Sequence, residues 1–236
     1  MAWELVSKAG LWQANLVPSL EGVYSALVGG ITDQTLLVGL AVSMKRAFLG
    51  YALSLFFGMS LGFLMGGVKW VDETIGGMAI ALQSLPAACW LPIAILWFGR
   101  SETAILFVIA VGGTFPSAVA TDDGIRHVSQ LWIHAAKTLG ATPRQLALEV
   151  VLPASLPFIL TGMKLGWAFS WRALMAGELL LVTLGLGRLL ETGRKLNDMN
   201  QIVAVMVVLV IISVAVDRLI LDKIQKKVHM IWGLDS

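Results

Sequence analysis

Long apolar runs alternate with short polar breaks along this chain, and five of the runs reach the length of a membrane-crossing helix. Crossing the hydrocarbon layer takes about 20 mostly apolar residues in an α-helix. Residues 47–67, 103–120, 156–182 and 201–221 satisfy this, the last being rich in Val and Ile. Residues 75–98 satisfy it as well, with Pro86 and Pro92 expected to bend or break the helix. The pattern predicts an all-α integral membrane protein, a five-helix bundle in which strands have no place. Ahead of residue 47 the apolar run that follows Val23 is interrupted by Asp33 and Gln34 and stops at Lys45 and Arg46. Residues 35–44 therefore read as part of an interfacial or membrane-entering helix. The expected division is an N-terminal extracytoplasmic or interfacial segment at 1–46, a transmembrane domain at 47–227 and a tail at 228–236.

Between residues 121 and 152 the pattern changes from continuous to periodic. Val128, Leu131, Trp132, Ala135, Ala136 and Leu139 recur at helical spacing, which predicts a short helix with one apolar face. Ser129 is its candidate N-cap, and Gly140 can take the left-handed conformation that ends such a helix. A second helix then starts with Thr142 as N-cap, Pro143 in its first position and Gln145 three residues after the cap. Leu146, Leu148, Val150 and Val151 supply its apolar side, and Pro153 and Pro157 shape the return into the bilayer. The prediction is a helix–turn–helix knuckle outside the membrane, either a stiff surface loop or a docking element. Exposed Trp132, the small Ala135 and Ala136 and the glycine hinge favour docking.

Composition agrees with the membrane assignment. Of 236 residues, 57% are hydrophobic and 14% charged, and the mean hydropathy is +0.81. Soluble domains carry about 25% charged residues. A net charge of +2, spread thinly, excludes nucleic acid as an expected partner. Cys89 is the single cysteine, so no intrachain disulfide can form. The first eleven residues lack an apolar core followed by a small-residue cleavage site, so they do not read as a cleaved signal peptide. Lys69, Arg126, Lys137, Arg144, Arg218, Lys223, Lys226 and Lys227 fall on one side of a five-span topology. Lys8, Lys45, Arg46, Arg100, Arg188, Arg194 and Lys195 fall on the other. The dense C-terminal cluster marks the first side as cytoplasmic, with the N-terminus outside and the C-terminus inside.

Within the predicted spans, Gly58, Gly62 and Gly66 repeat every four residues and line one helix face, serving either packing inside the bundle or a dimer seam. Arg172 stands about 18 Å along its span, near the bilayer midplane, where a charge needs a partner or a water-filled cavity. It either pairs with a carboxylate or carbonyl of a neighbouring helix or faces a solute pathway. Trp167, Ser170 and Trp171 surround it and either line that pathway or pack in the core. Glu178 reads as structural, bonding a neighbouring helix end, with a pathway role as the alternative. Gln83, three residues before Pro86, can satisfy the carbonyl that the proline frees. Residues 185–200, rich in charge and glycine, read as an external loop. No phosphate-binding glycine loop, nucleophile pair or metal-ligand spacing is present, so neither catalysis nor a metal is expected.

His134, Ala135, Ala136, Gly140, Val150, Leu152 and Pro153 stand at the spacing of the EAA signature: Glu-Ala-Ala, three residues, Gly, nine residues, Ile-x-Leu-Pro. The chain thus resembles the permease subunits of ABC importers of the binding-protein-dependent type I kind. Leu91, Pro92, Leu96, Trp97, Phe98, Gly99 and Glu102, with Leu160, Thr161, Gly162, Gly177, Glu178 and Leu179, resemble the nitrate/sulfonate/taurine branch. The likeness spans about residues 12–227. It implies the type I permease fold, in which the knuckle is a cytoplasmic coupling helix seated on an ATP-hydrolysing subunit. The coupling residues it implies are Trp132, His134, Ala135, Ala136, Gly140, Ala141, Thr142, Pro143 and Pro153. It implies a homodimer in a bacterial inner membrane, two ATPase subunits that carry ATP and Mg, and an extracytoplasmic binding protein that delivers a small anion. Much of the selectivity would reside in that protein, while this chain binds no cofactor. Two departures stand out: His134 replaces the usual Glu, and five spans are present where six are common.

Two other classes stay open on the residues alone. A secondary transporter or channel would need intramembrane acids or histidines as relays, and Glu178 is the one acid well inside a span. A membrane-embedded enzyme would need a catalytic constellation that is missing.

Overall fold

The computed structural model describes residues 18–181 and 183–231, the side chains of His229 and Ile231 aside. What the pattern predicts for residues 1–17, for Val182 as the end of a span and for the tail from 232 lies outside this range. Among the described residues all regular structure is helical. The helices are α1 (Leu20–Thr32), α2 (Thr35–Gly67), α3 (Lys69–Gln83), α4 (Ala87–Phe98), α5 (Glu102–Arg126), α6 (Gln130–Thr138), α7 (Pro143–Leu181), α8 (Leu186–Lys195) and α9 (Met199–Val228).

The first span begins twelve residues earlier than the hydropathy pattern places it. Residues 35–44, expected as an interfacial or entering helix, are the first turns of the 33-residue α2. Lys45 and Arg46 do not end it, because Arg46 is buried and its charge is met by carboxylates from two other helices. At about 1.5 Å per residue, α2 is some 50 Å long and stands out of a 30 Å hydrocarbon layer. Ser19 caps α1 by accepting from the Gly22 N–H, and its own N–H donates to Asn200 Oδ1 at the start of α9.

Small residues decide how the long helices pack. Cβ atoms added at Gly58, Gly62 and Gly66 would collide with Thr114 and Ser117, with Ala118 and Thr121, and with Ile125. The glycine face is therefore a seam between α2 and α5 inside one chain. The offset of about 59 residues along this seam means that α2 and α5 run parallel. The chain between them must recross the membrane, so α3 and α4, bent by 107° at their junction, form one broken span. Pro86 stands at the break, as expected. Pro92 sits in the first turn of the α-helical part of α4, Leu91–Phe98, which follows the 3-10 turn Ala87–Trp90; a missing N–H costs nothing there, and the proline does not break it. Beside Pro86, Ser84 Oγ donates to the Ala81 carbonyl, and Gln83 makes no such bond among the described residues.

α7 runs antiparallel to α5, with Gly162 against Ala120, Gly166 against Ser117 and Gly177 against Ile105. It is a single 39-residue helix: the expected second knuckle helix and the fourth span are continuous through a π-helical turn at Leu146–Val151. α5 likewise extends beyond residue 120 to Arg126. α9 returns beside α7, joined to it by an ion pair between Lys164 and Asp222. Among the described residues five crossings result, and the start of α2 lies at the opposite end of the bundle from the end of α9. The core between them holds Tyr51, Ile105, Ile109, Trp167, Trp171 and Leu174.

Candidate coupling knuckle and candidate pathway face

The knuckle is built by local chemistry. Ser129 caps α6 through the Leu131 N–H. At the other end Gly140 takes φ +85°, and the Gly140 and Ala141 N–H groups donate to the carbonyls of Lys137 and Ala136. This is a Schellman ending, and a side chain at residue 140 would be strained in it. Thr142 and Gln145 then form a complete capping box with Pro143 in the first turn of α7. Two helix ends therefore close within four residues, leaving a stiff corner.

The knuckle has an apolar surface that the described residues leave exposed. Trp132 is 66% exposed and Leu139 88%, with Leu131 and Leu148 exposed beside them. His134, Ala135, Gly140, Thr142 and Pro143 are exposed as well, whereas Ala136, Ala141 and Pro153 are partly covered. Val128, expected on the same face, is buried at the root. There Arg126 closes α5. Its Nε donates to both Asp122 carboxylate oxygens at 3.0 Å, and its Nη2 pairs with Asp72 in the π-helical turn Asp72–Gly76 that leads α3 into the membrane. The root of the knuckle is thus tied to the broken span. Neither Asp72 nor Asp122 stands out in the hydropathy pattern, although Asp122 and Arg126 are four apart on one helix, a readable spacing.

A cavity of about 730 Å³ lies between α6 and the start of α7, lined by His127, Ser129, Trp132, Glu149, Phe158 and Thr161 among others. The His127 ring stacks on Phe158 at 5.2 Å and its Nδ1 lies 2.6 Å from the Asp123 carbonyl.

Of the five candidate pathway residues, the structure separates Arg172 from the other four. Trp167 and Trp171 stack on each other at 5.7 Å, and Trp167 also meets Phe48 and Tyr51. Ser170 lies within 3.3 Å of Ser54 Oγ. All three are buried between α2, α5 and α7. Glu178 is 0% exposed. It accepts from Ser43 Oγ at 2.7 and 2.8 Å, from Arg46 Nη1 at 3.0 Å and from the Gly187 N–H at 3.0 Å. A carboxylate satisfied on this scale fixes the N-terminus of α8 against α2 and α7, the helix-end role expected of it. Cβ atoms at Gly185 or Gly187 would occupy its place. Residues 185–200, expected as an external loop, contain this α8 helix. Arg172 alone stands exposed, with its guanidinium 5.4 Å over the Phe169 ring and no carboxylate beside it among the described residues.

Residues 54–229, three quarters of the chain, match the family described as the binding-protein-dependent transport system inner membrane component. The chain belongs to this family. As a permease it is 32% identical over 184 residues to the taurine transport system permease protein of Escherichia coli, covering 78% of this chain and 67% of that one. It is 26% identical over 226 residues to the nitrate import permease protein of a Synechocystis species, covering 93% and 82%. Among solved structures, an inward-facing form of the MetNI methionine ABC transporter superposes with a TM-score of 0.71 at 19% identity, over 83% of this chain and 96% of that one. That likeness carries the fold. The permease is thus a multi-pass, non-catalytic subunit of an ABC importer in the nitrate/sulfonate/taurine branch, with the type I fold. The knuckle occupies residues inside the matched range.

Proposed function

We propose that the permease forms the translocation pathway of an ATP-driven importer for a small anion of the nitrate, sulfonate or taurine kind. It works as a homodimer with two ATPase subunits, which hold ATP and Mg, and receives its solute from an extracytoplasmic binding protein. The knuckle then lies in the cytoplasm, with the start of α2 outside and the end of α9 inside. The observation that carries this reading is the apolar surface of Leu131, Trp132, Leu139 and Leu148 on a corner stiffened by two caps. Such a corner fits a groove in a soluble partner. Closure of the ATPase pair pushes on it, and the root at Arg126 passes the displacement to α5 and α3. ATP drives the change only through unequal affinity for the inward- and outward-facing states.

The secondary-transporter reading loses its one acid, since Glu178 is held in a structural role by three donors, the Ser43 hydroxyl, Arg46 Nη1 and the Gly187 N–H. Purification through a tag on the permease, followed by native mass spectrometry, should recover a complex of two permeases and two ATPases. Its hydrolysis should rise when binding protein loaded with nitrate or taurine is added. Solute accumulation in vesicles that contain the permease and no ATPase would refute the proposal.

A further inference from the structure

The face of α7 that carries Arg172 differs from the exposed face of α9. Phe158, Thr161, Leu165 and Arg172 fall on one side of the helix at intervals of three, four and seven residues, and all four are exposed. The exposed face of α9 at the same height is purely aliphatic, with Val207, Val210, Ile211 and Val214, and suits lipid. A guanidinium does not.

Depth removes the easy escape. Arg172 is nine residues short of Leu181, about 13 Å below that end of α7. The register of Gly166 on Ser117 and Gly177 on Ile105 sets it level with Ala110 and Val111 of α5. In a hydrocarbon layer of about 30 Å this is close to the midplane. The guanidinium lies over Phe169, one turn towards the knuckle, so it reaches further into the layer and not towards the nearer surface. A charge held there needs water or a counter-ion.

Resting on the importer reading above, we infer that Arg172 is the specificity-determining residue of the pathway, and that this face is closed by the same face of a second copy of the chain. A two-fold contact sets a residue near the axis against its own counterpart. Two guanidinium groups meeting across a low-dielectric gap repel each other unless an anion lies between them. The pair therefore selects a small anion and rejects a cation, and the binding protein is relieved of part of the discrimination. The same stripe leads from Arg172 through Leu165 to Thr161, where the cavity beside the knuckle begins. The cavity also contains Glu149, whose carboxylate repels an anion that has passed the arginines and favours its release.

The test uses the whole complex with its ATPases in proteoliposomes, probed with nitrate and with taurine. In Arg172→Gln, uptake should fall about tenfold to a hundredfold, the range a lost charge-assisted hydrogen bond covers, while Arg172→Lys should keep most of it. Recovery of the ATPases with each variant shows that the fold survived. In a Cys89→Ser background, the thiol introduced by Arg172→Cys should react with water-soluble methanethiosulfonates. A trimethylammonium reagent should restore uptake, and a sulfonate reagent should not. Wild-type uptake by Arg172→Gln, equal restoration by both reagents, or a thiol reactive only towards lipophilic maleimides would each overturn the inference. Wild-type uptake without ATPases would instead sink the importer reading and leave the charge test legible.

Discussion

Glu178 shows how one buried carboxylate can organise a membrane protein. It gathers a hydroxyl, a guanidinium and a helix-end N–H, drawn from α2 and α8, around one side chain of α7. Removing it takes from Arg46, which is itself buried, its one buried carboxylate and leaves only the half-exposed Glu102. Breaking a buried pair from one side costs about 3–5 kcal/mol, so Glu178→Ala should lower the thermal stability of the detergent-solubilised permease by that amount. Glu178→Gln, which keeps the shape and some of the hydrogen bonds, should cost less. Unchanged unfolding of Glu178→Ala would mean that Arg46 finds another partner. The roles of these residues were unevenly visible beforehand. The helix-end role of Glu178 could be argued from its position in the span. Its partner Arg46 could not, because the two stand 132 residues apart and nothing local links them. Lys164 and Asp222, an ion pair between α7 and α9, escaped for the same reason.

Helix ends follow rules of sequence, and the knuckle obeys them from Ser129 to Gln145. Gly140→Val replaces a left-handed glycine by a β-branched residue, which strains the Schellman ending. Membrane insertion should be normal while ATPase recovery or transport per ATP falls several-fold. Normal transport by this variant would show that the corner is not what the ATPase grips. Helix seams are harder to foresee. The repeat of Gly58, Gly62 and Gly66 announced a close approach but not its partner, and the seam joins α2 to α5 within one chain. A Cβ at Gly62 would stand 2.5 Å from the Ala118 carbonyl oxygen. Gly62→Leu should therefore destabilise the monomer fold by about 1–3 kcal/mol, seen as lost expression or a lowered melting point. A dimer lost with the monomer intact would contradict the seam. Where span boundaries were misjudged, the cause was a satisfied charge: hydropathy counts Lys45 and Arg46 as a stop, and packing does not. The broken span was foreseen from Pro86, but the size of its bend, 107°, was not.

At the scale of the whole molecule, two of the π-helical turns among the described residues lie at the knuckle end, at Asp72–Gly76 and Leu146–Val151. Such turns recur at functional sites, and here they stand where α3 and α7 meet the end that would move. The tie from Arg126 to Asp72 joins the knuckle root to the first of them. Asp72→Asn should leave the ATPases bound and lower solute transported per ATP hydrolysed several-fold, measured in proteoliposomes by paired uptake and phosphate release. An unchanged ratio would show that the broken span takes no thrust through this tie. The parallel run of α2 and α5, with a crossing threaded between them, has a consequence for biosynthesis. At about 5–20 residues per second, a ribosome needs roughly ten seconds to reach Glu178 after it has made Arg46. Until then the arginine can meet only Glu102, a half-exposed carboxylate, and its helix lacks the buried anchor that sets its final height. The newborn α2 must wait at the insertion machinery or ride shallow, so delayed release of this first crossing should be the slow step in making the protein.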